Sequence, residues 1–185
     1  DFSTITNAYP EHEDLQGPAG IDVAEVIAGF VPTKGRLVTS EINFLPVLRE
    51  AARRRGTPVD AVPDLAGELL PADLLGLFPY DEHPRNIALV AHLAALLGVD
   101  PTLAIVMMAE HVVPDLGVLK RFGPARVRGR VLEFINGCSA NERTGFLSNW
   151  RRTGCDALDL AREPDRYLIT VVNNRDDRVS RSQVF

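Results

Sequence analysis

Over its first 62 residues the chain alternates between β-prone runs and helical stripes, and that order admits few folds. The opening FSTITN is β-branched and alternating, which predicts a strand ending at Asn7. AGIDVAEVIAGFV sets Ile21, Val23, Val26, Ile27 and Phe30 on one helical stripe, closed by Pro32. TKGRLVTSE predicts a turn and a short strand, FLPVLREAARRRG a helix stopped by Gly56, and TPVDAV a third short strand. Strands separated by helices imply a parallel sheet, so the fold class is α/β.

Residues 63–80, rich in proline and leucine, predict an irregular connection. HPRNIALVAHLAALLGVD then predicts a long apolar helix with Asn86 at its start and Gly98 as its stop signal. PTLAIVMMAEHVVPD predicts another helix, with proline in its first turn. Beyond it the texture changes. GPARVRGRVLEFING predicts a turn at Gly123–Pro124 and an alternating strand, followed by the loop NGCSANERTG, a helix over FLSNWRRTGCDAL and a strand over RYLITVVNN. A strand–loop–helix–strand unit is Rossmann-like, with chemistry expected in the loops after the strands' carboxyl ends. The expected domains are therefore 1–123 and 124–185. The second, at about 60 residues, is too short for a complete α/β domain and is expected to be truncated.

Composition narrows the function. An apolar fraction of 45% and a mean hydropathy of −0.01 describe a globular chain rather than a disordered one. No apolar run approaches the ~18 residues that a membrane span needs, and no basic-then-apolar leader pattern opens the sequence. Cys138 and Cys155 are too few and too far apart for a metal knuckle and fit thiols in a reducing compartment. Residues 1–100 carry 7 basic and 15 acidic side chains, whereas 101–185 carry 13 and 10, within a chain of net charge −5. The basic second half suits an anion such as a nucleotide phosphate or a polycarboxylate, although arginine outnumbers lysine 18 to 2 throughout, a compositional bias that also accounts for it. No aromatic platform interleaves the arginines of KRFGPARVRGR, which argues against a nucleic-acid partner.

One segment concentrates metal-ligand chemistry. NAYPEHEDLQG places Glu11, His12, Glu13 and Asp14 just past the first strand's carboxyl end, where ligands converge in parallel sheets. On residue types alone a solvated acidic turn explains it equally. His83, His92 and His111 lack a zinc spacing, and His92 falls within an apolar helix. Arg53–Arg54–Arg55 fits a solvated helix end, and Met107–Met108 fits core filler.

Four segments carry a resemblance to the Mur-ligase-like poly-γ-glutamate synthase subunit, the PgsB/CapB family. FINGCSANERTGFLSNWRR (134–152) resembles the opening of that family's last domain, through Asn136–Gly137, Ala140–Asn141–Glu142 and Trp150. NNRDDRVSRSQVF (173–185) resembles its next strand end. TNAYPEHEDLQG (6–17) resembles the Mur-ligase segment N-x-x-x-D-H-x-D, with Glu11 where aspartate is usual. Asn86, twelve residues before Gly98, matches the family's helix asparagine. The segments run in family order across the chain.

The resemblance implies the second half of a Mur-ligase-type central ATPase domain followed by the start of a Rossmann-like C-terminal domain. It implies an ATP-dependent carboxylate–amine ligase that joins glutamates through the γ-carboxyl by way of an acyl phosphate. ATP and Mg²⁺ are the implied cofactors. His12 resembles a histidine that helps to hold magnesium, with Glu11 and Asp14 as carboxylates around it. Asn86 would contact the adenine or its surroundings, and Arg121 the ATP phosphates. Asn136, Asn141 and Glu142 would lie in a loop closing over the nucleotide, and Asp177 and Arg178 on a loop meeting nucleotide or incoming amino acid. No catalytic residue is assigned. Implied partners are glutamate or the polyglutamate chain and the membrane subunits of a capsule synthase complex. A homo-oligomer is compatible, and the expected location is the cytoplasmic side of the membrane.

Departures from the pattern shape the expectation. Gly137 and Ser139 stand where cell-wall Mur ligases carry aspartate and lysine, residues 13–33 contain no lysine, and no GKS-type phosphate loop occurs. The chain is therefore expected to be an internal fragment, inactive alone. The alternatives are a folylpolyglutamate synthase, a Mur-type amino-acid ligase, and a non-catalytic module with a degenerate ligase fold that binds nucleotide or a partner.

Overall fold

The computed structural model describes residues 1–10, 13–140 and 142–173. Two compact units divide the chain at Pro114/Asp115.

In the first unit, three parallel strands form one sheet: β1 (Phe2–Ile5), β2 (Arg36–Thr39) and β3 (Val59–Ala61), in that spatial order. Between β1 and β2 come the short α1 (Glu13–Gln16) and α2 (Gly20–Ile27), which tightens into a 3₁₀ turn over Ala28–Phe30. Helix α3 (Leu45–Arg54) links β2 to β3. The central strand β2 is apolar in succession because both faces of a parallel sheet are covered. Leu37 faces a cluster built from Ile5, Ala28, Val31, Leu48 and Ala52, under α2 and α3. Val38 faces the opposite cluster, with Val62, Ala88 and Leu89. The last two belong to α5 (Pro84–Leu96), so helices sandwich the sheet.

The connection over 63–80 carries only a 3₁₀ turn (Asp64–Ala66) and α4 (Ala72–Leu75), in line with its irregular sequence. Helix α6 (Pro101–His111) packs Ile105 and Ala109 against Ile87 and Phe78. Met108 joins that cluster, whereas Met107 is exposed, so only one of the pair fills core. Arg53 and Arg54 pair with Glu50 at the solvated end of α3. Arg55 does not share that role: its Nη1 donates to the carbonyls of Ala28, Gly29 and Val31 at 2.8, 3.0 and 2.5 Å, locking the end of the 3₁₀ turn.

The second unit departs from the sequence expectation in two places. Residues 120–136 form an antiparallel hairpin, β4 (Lys120–Val127) and β5 (Arg130–Asn136), rather than a turn followed by one strand. The turn is Arg128–Gly129, whose φ angles of +50° and +80° suit a two-residue hairpin loop. Gly123 and Pro124 sit in a register shift between Phe122 and Ala125, where a proline without an N–H costs no ladder bond. The domain boundary expected at 124 thus lies inside β4, nine residues past the division between the units.

The second departure is RYLITVVNN. Its described residues, 166–173, form no strand, and Tyr167, Ile169 and Val171 are strongly exposed. A β-prone run becomes a strand only when a neighbour supplies ladder partners, and among the described residues no strand pairs with this run. Helix α7 (Arg143–Arg152) follows the hairpin, stacking Phe146 on Trp150 at 5.7 Å between ring centroids. Both cysteines are free thiols.

Candidate functional site

The first unit holds a polar cleft at the carboxyl ends of β1 and β2. The end of β1 contributes Thr6, Asn7 and Tyr9; the end of β2 contributes Ser40, Glu41, Ile42 and Asn43; the start of α5 contributes His83, Arg85 and Asn86. Its volume of about 110 Å³ exceeds that of a few waters but falls short of the 300 Å³ or more of sites that enclose a whole drug-sized ligand. It is the size of a subsite for a phosphate, a carboxylate or one edge of a larger molecule.

The cleft is where it is because parallel strands end together and their following loops diverge. Asn86 lies in it, as the third residue of α5 rather than its cap. The cap is His83, whose Nδ1 accepts the Arg85 N–H at 3.3 Å, with Pro84 in the first helical position. Asn86 Nδ2 donates to Glu82 Oε1 at 3.0 Å, which fixes the amide plane and leaves its oxygen as an acceptor. Arg85 forms an ion pair with Asp64. Beneath the cleft's helical wall, Tyr80 donates to Glu82 at 2.8 Å; burial first, and that carboxylate second, push its phenol up to about 12.

The wall between the strand ends is set by three consecutive side chains of β2's end. Thr39 Oγ1 donates to the Ile5 carbonyl at 2.7 Å and Ser40 Oγ to the Thr6 carbonyl at 2.8 Å. Glu41, 3% exposed, accepts the Ala8 N–H through Oε2 at 2.6 Å and the Phe44 N–H through Oε1 at 2.9 Å. The sequence expectation attached no chemistry to them. The available signal was a polar T-S-E run ending an apolar strand, at the sheet edge where ligands gather.

The expected magnesium residues Glu11 and His12 lie outside the described residues; Asp14 lies on α1, and its side chain is likewise outside the description. Among the described residues no group of three or more His, Cys, Asp or Glu could hold a metal ion. Asn141, Asp177 and Arg178 also lie outside the described residues. The remaining expected residues, Arg121, Asn136 and Glu142, belong to the second unit, each bonded to its own backbone partners. Arg121 Nη2 donates to the Thr153 carbonyl at the end of α7 at 2.6 Å, and its Nη1 lies 3.6 Å from Glu133 across the hairpin. Asn136 Nδ2 donates to the Leu116 and Val118 carbonyls at 2.7 and 3.3 Å. Glu142 caps α7, both carboxylate oxygens taking the Gly145 N–H at 2.8 Å. A Cβ at 145 would crowd Glu142 Oε1, so this flexible carboxylate would have to give up its two-oxygen arrangement there.

Residues 122–185 match the family model described as the poly-gamma-glutamate synthase CapB C-terminal domain. Over its whole length the chain is 30% identical to the capsule biosynthesis protein CapB of Bacillus anthracis, spanning 38% of that protein. It is 28% identical, again over its whole length, to the PGA synthase CapB of Bacillus subtilis strain 168, spanning 44% of it. The chain thus spans about two fifths of the length of these curated relatives. No solved structure matches it significantly.

Proposed function

We propose that this chain belongs to the CapB poly-γ-glutamate synthase family and is part of an ATP-dependent γ-glutamyl ligase, contributing to its nucleotide and acyl-transfer chemistry. The observation that carries this reading is the polar cleft at the carboxyl ends of β1 and β2, with Asn86 in its helical wall.

In this reading a glutamate carboxylate oxygen attacks the γ-phosphorus of ATP, and ADP leaves. The resulting acyl phosphate is attacked at carbon by an amino group; the C–O bond breaks, inorganic phosphate departs with the carboxylate's oxygen, and the nitrogen loses a proton. The chain's residues bind and orient. Asn86 presents its amide oxygen to a donor such as an exocyclic amine. Arg121, Asn136, Asn141 and Glu142 would meet the nucleotide, and Asp177 and Arg178 the nucleotide or the incoming amino acid. His12, Glu11 and Asp14 would supply one imidazole and two carboxylates, whose oxygens suit a hard cation such as Mg²⁺. Mg²⁺ would neutralise phosphate charge as the carboxylate approaches. The Mur-ligase-type and Rossmann-like identities of the two units, a membrane synthase complex as partner and a place on the membrane's cytoplasmic face belong to the same proposal; among the described residues no helix is long and apolar enough to cross a membrane.

The test uses the full-length protein. Asn86→Ala should raise KM for ATP about tenfold, the cost of one lost hydrogen bond of about 1.4 kcal/mol, with the thermal midpoint within a few degrees of wild type. His12→Ala should lower glutamate-dependent ATP turnover about 10- to 100-fold, with partial recovery at raised Mg²⁺. Wild-type rates in both variants would refute the assignment.

A further inference from the structure

We propose that Glu41 is a positioning residue of this site: its buried carboxylate is the strut that holds the loop after β1, and with it the cleft wall, against the start of α3. The inference rests on the ligase reading above.

Glu41 stands where the cleft, β2 and α3 meet. Its two oxygens are spent on two backbone donors from different segments, Ala8 N–H and Phe44 N–H. Removing a carboxylate from water is costly, and a purely apolar contact would close this junction more cheaply. What the junction needs is two acceptors on one side chain and no donor, and only a carboxylate supplies that. The positive end of α3, ten residues long, lies on the same side and favours the charge.

The loop it holds is functional in place. Ala8 sits between Asn7 and Tyr9, both in the cleft, and Asn7 Oδ1 accepts the Tyr9 N–H at 3.2 Å. Three residues beyond Ala8 begin the residues read as cation ligands, Glu11, His12 and Asp14. With Thr39 and Ser40 bonded to Ile5 and Thr6, the T-S-E run fastens β1's exit at successive points, and Glu41 is the last and furthest. A shift of the loop by an ångström would misplace the groups it carries, which is enough to slow an enzymatic reaction by about 100-fold.

The experiment compares Glu41→Gln with Arg55→Ala in the full-length protein. The amide is nearly isosteric but offers one acceptor and presents N–H to a facing N–H. Arg55 locks the far end of the same unit and has no place in the cleft, so its loss measures destabilisation alone. Amide hydrogen exchange is read at residues 6–10 and at β2; kcat and KM for ATP and glutamate are read beside thermal midpoints. In Glu41→Gln, the Ala8 amide should exchange at least about tenfold faster while β2 stays protected, and kcat should fall about 10- to 100-fold with KM for ATP moving less. Arg55→Ala should lower the midpoint as much or more and keep kcat within about twofold. If Glu41→Gln does not fold, Glu41→Asp serves: it keeps the charge, is one methylene short, and should show the same kcat loss in a folded protein. An unchanged Ala8 amide overturns the strut, and this readout stands even if the wild type shows no glutamate-dependent ATP turnover, the outcome that would defeat the ligase reading instead. A freed Ala8 with full kcat, or an equal kcat loss in Arg55→Ala, overturns the positioning role.

Discussion

The two units hold their candidate residues in opposite ways. In the first, four clusters of buried apolar side chains surround the sheet, and the cleft is a gap at the edge of a packed body. In the second, Leu119 is the one buried apolar side chain among the described residues, and Phe122, Leu132 and Phe134 of the hairpin are about half exposed. Its order comes from polar staples: Arg121 to Thr153, Asn136 to the residues before β4, and Glu142 to Gly145. A core fixes a site through burial, which is worth several kcal/mol per large side chain, whereas staples of this kind contribute about 1 kcal/mol each. The residues expected to bind ligand in the second unit are therefore also the ones that keep it in shape, so substitutions there mix folding with function.

Mutations at the extremes of this contrast should differ most. Leu37→Ala, at a fully buried position of β2, should destabilise the first unit by about 3 kcal/mol or more, while Phe134→Ala, 54% exposed, should cost under about 1 kcal/mol in the second. Hydrogen exchange resolved by residue reads both; a Phe134→Ala loss equal to that of Leu37→Ala would mean that the hairpin has a core of its own. Next in size, Asn136→Ala should cost about 1 kcal/mol, loosening the Leu116 and Val118 amides without changing protection in β2. Unchanged exchange at 116–118 would show that the staple is idle.

The smallest effect depends on pH. Tyr80 holds its proton to about 12 in the folded state against about 10 in the unfolded chain, so the folded protein binds more protons in that window. Stability should therefore be insensitive to this group below about pH 10 and fall as pH rises toward 12, and Tyr80→Phe should flatten that fall. Denaturant midpoints across the window check the sign; a slope that Tyr80→Phe leaves unchanged removes Tyr80 as its cause.

How far the sequence could be read follows the same division. The helices and strands of the first unit fall where periodicity places them, and the stripes through Leu48 and Ile87 meet buried partners. That of α2 does so only in part, since Val23 is buried and Ile27 packs on the core while Ile21, Val26 and Phe30 are exposed. Its misreadings are polar. Asn86, expected at the helix start, is its third residue, because Pro84 takes the first helical position and His83 the cap. Glu41 is invisible to apolar periodicity, since its value lies in two acceptors that reach segments 33 and 3 residues away. In the second unit the Gly123–Pro124 pair outweighed Arg128–Gly129 as a turn signal, although a left-handed arginine before glycine makes the tighter hairpin. The strand expected over 166–174 rested on composition alone, and composition cannot supply a ladder partner.

If this chain serves an acyl-phosphate-forming ligase, as proposed, an oxygen of the activated carboxylate must leave in the inorganic phosphate. The full-length protein would be given ATP and glutamate labelled with ¹⁸O in its γ-carboxylate, and the released inorganic phosphate analysed by mass. One labelled oxygen is expected in each phosphate released with amide formation, and the same ratio in Asn86→Ala, which releases less phosphate at sub-saturating ATP. Phosphate that carries no label while γ-glutamyl amide accumulates would contradict the proposal.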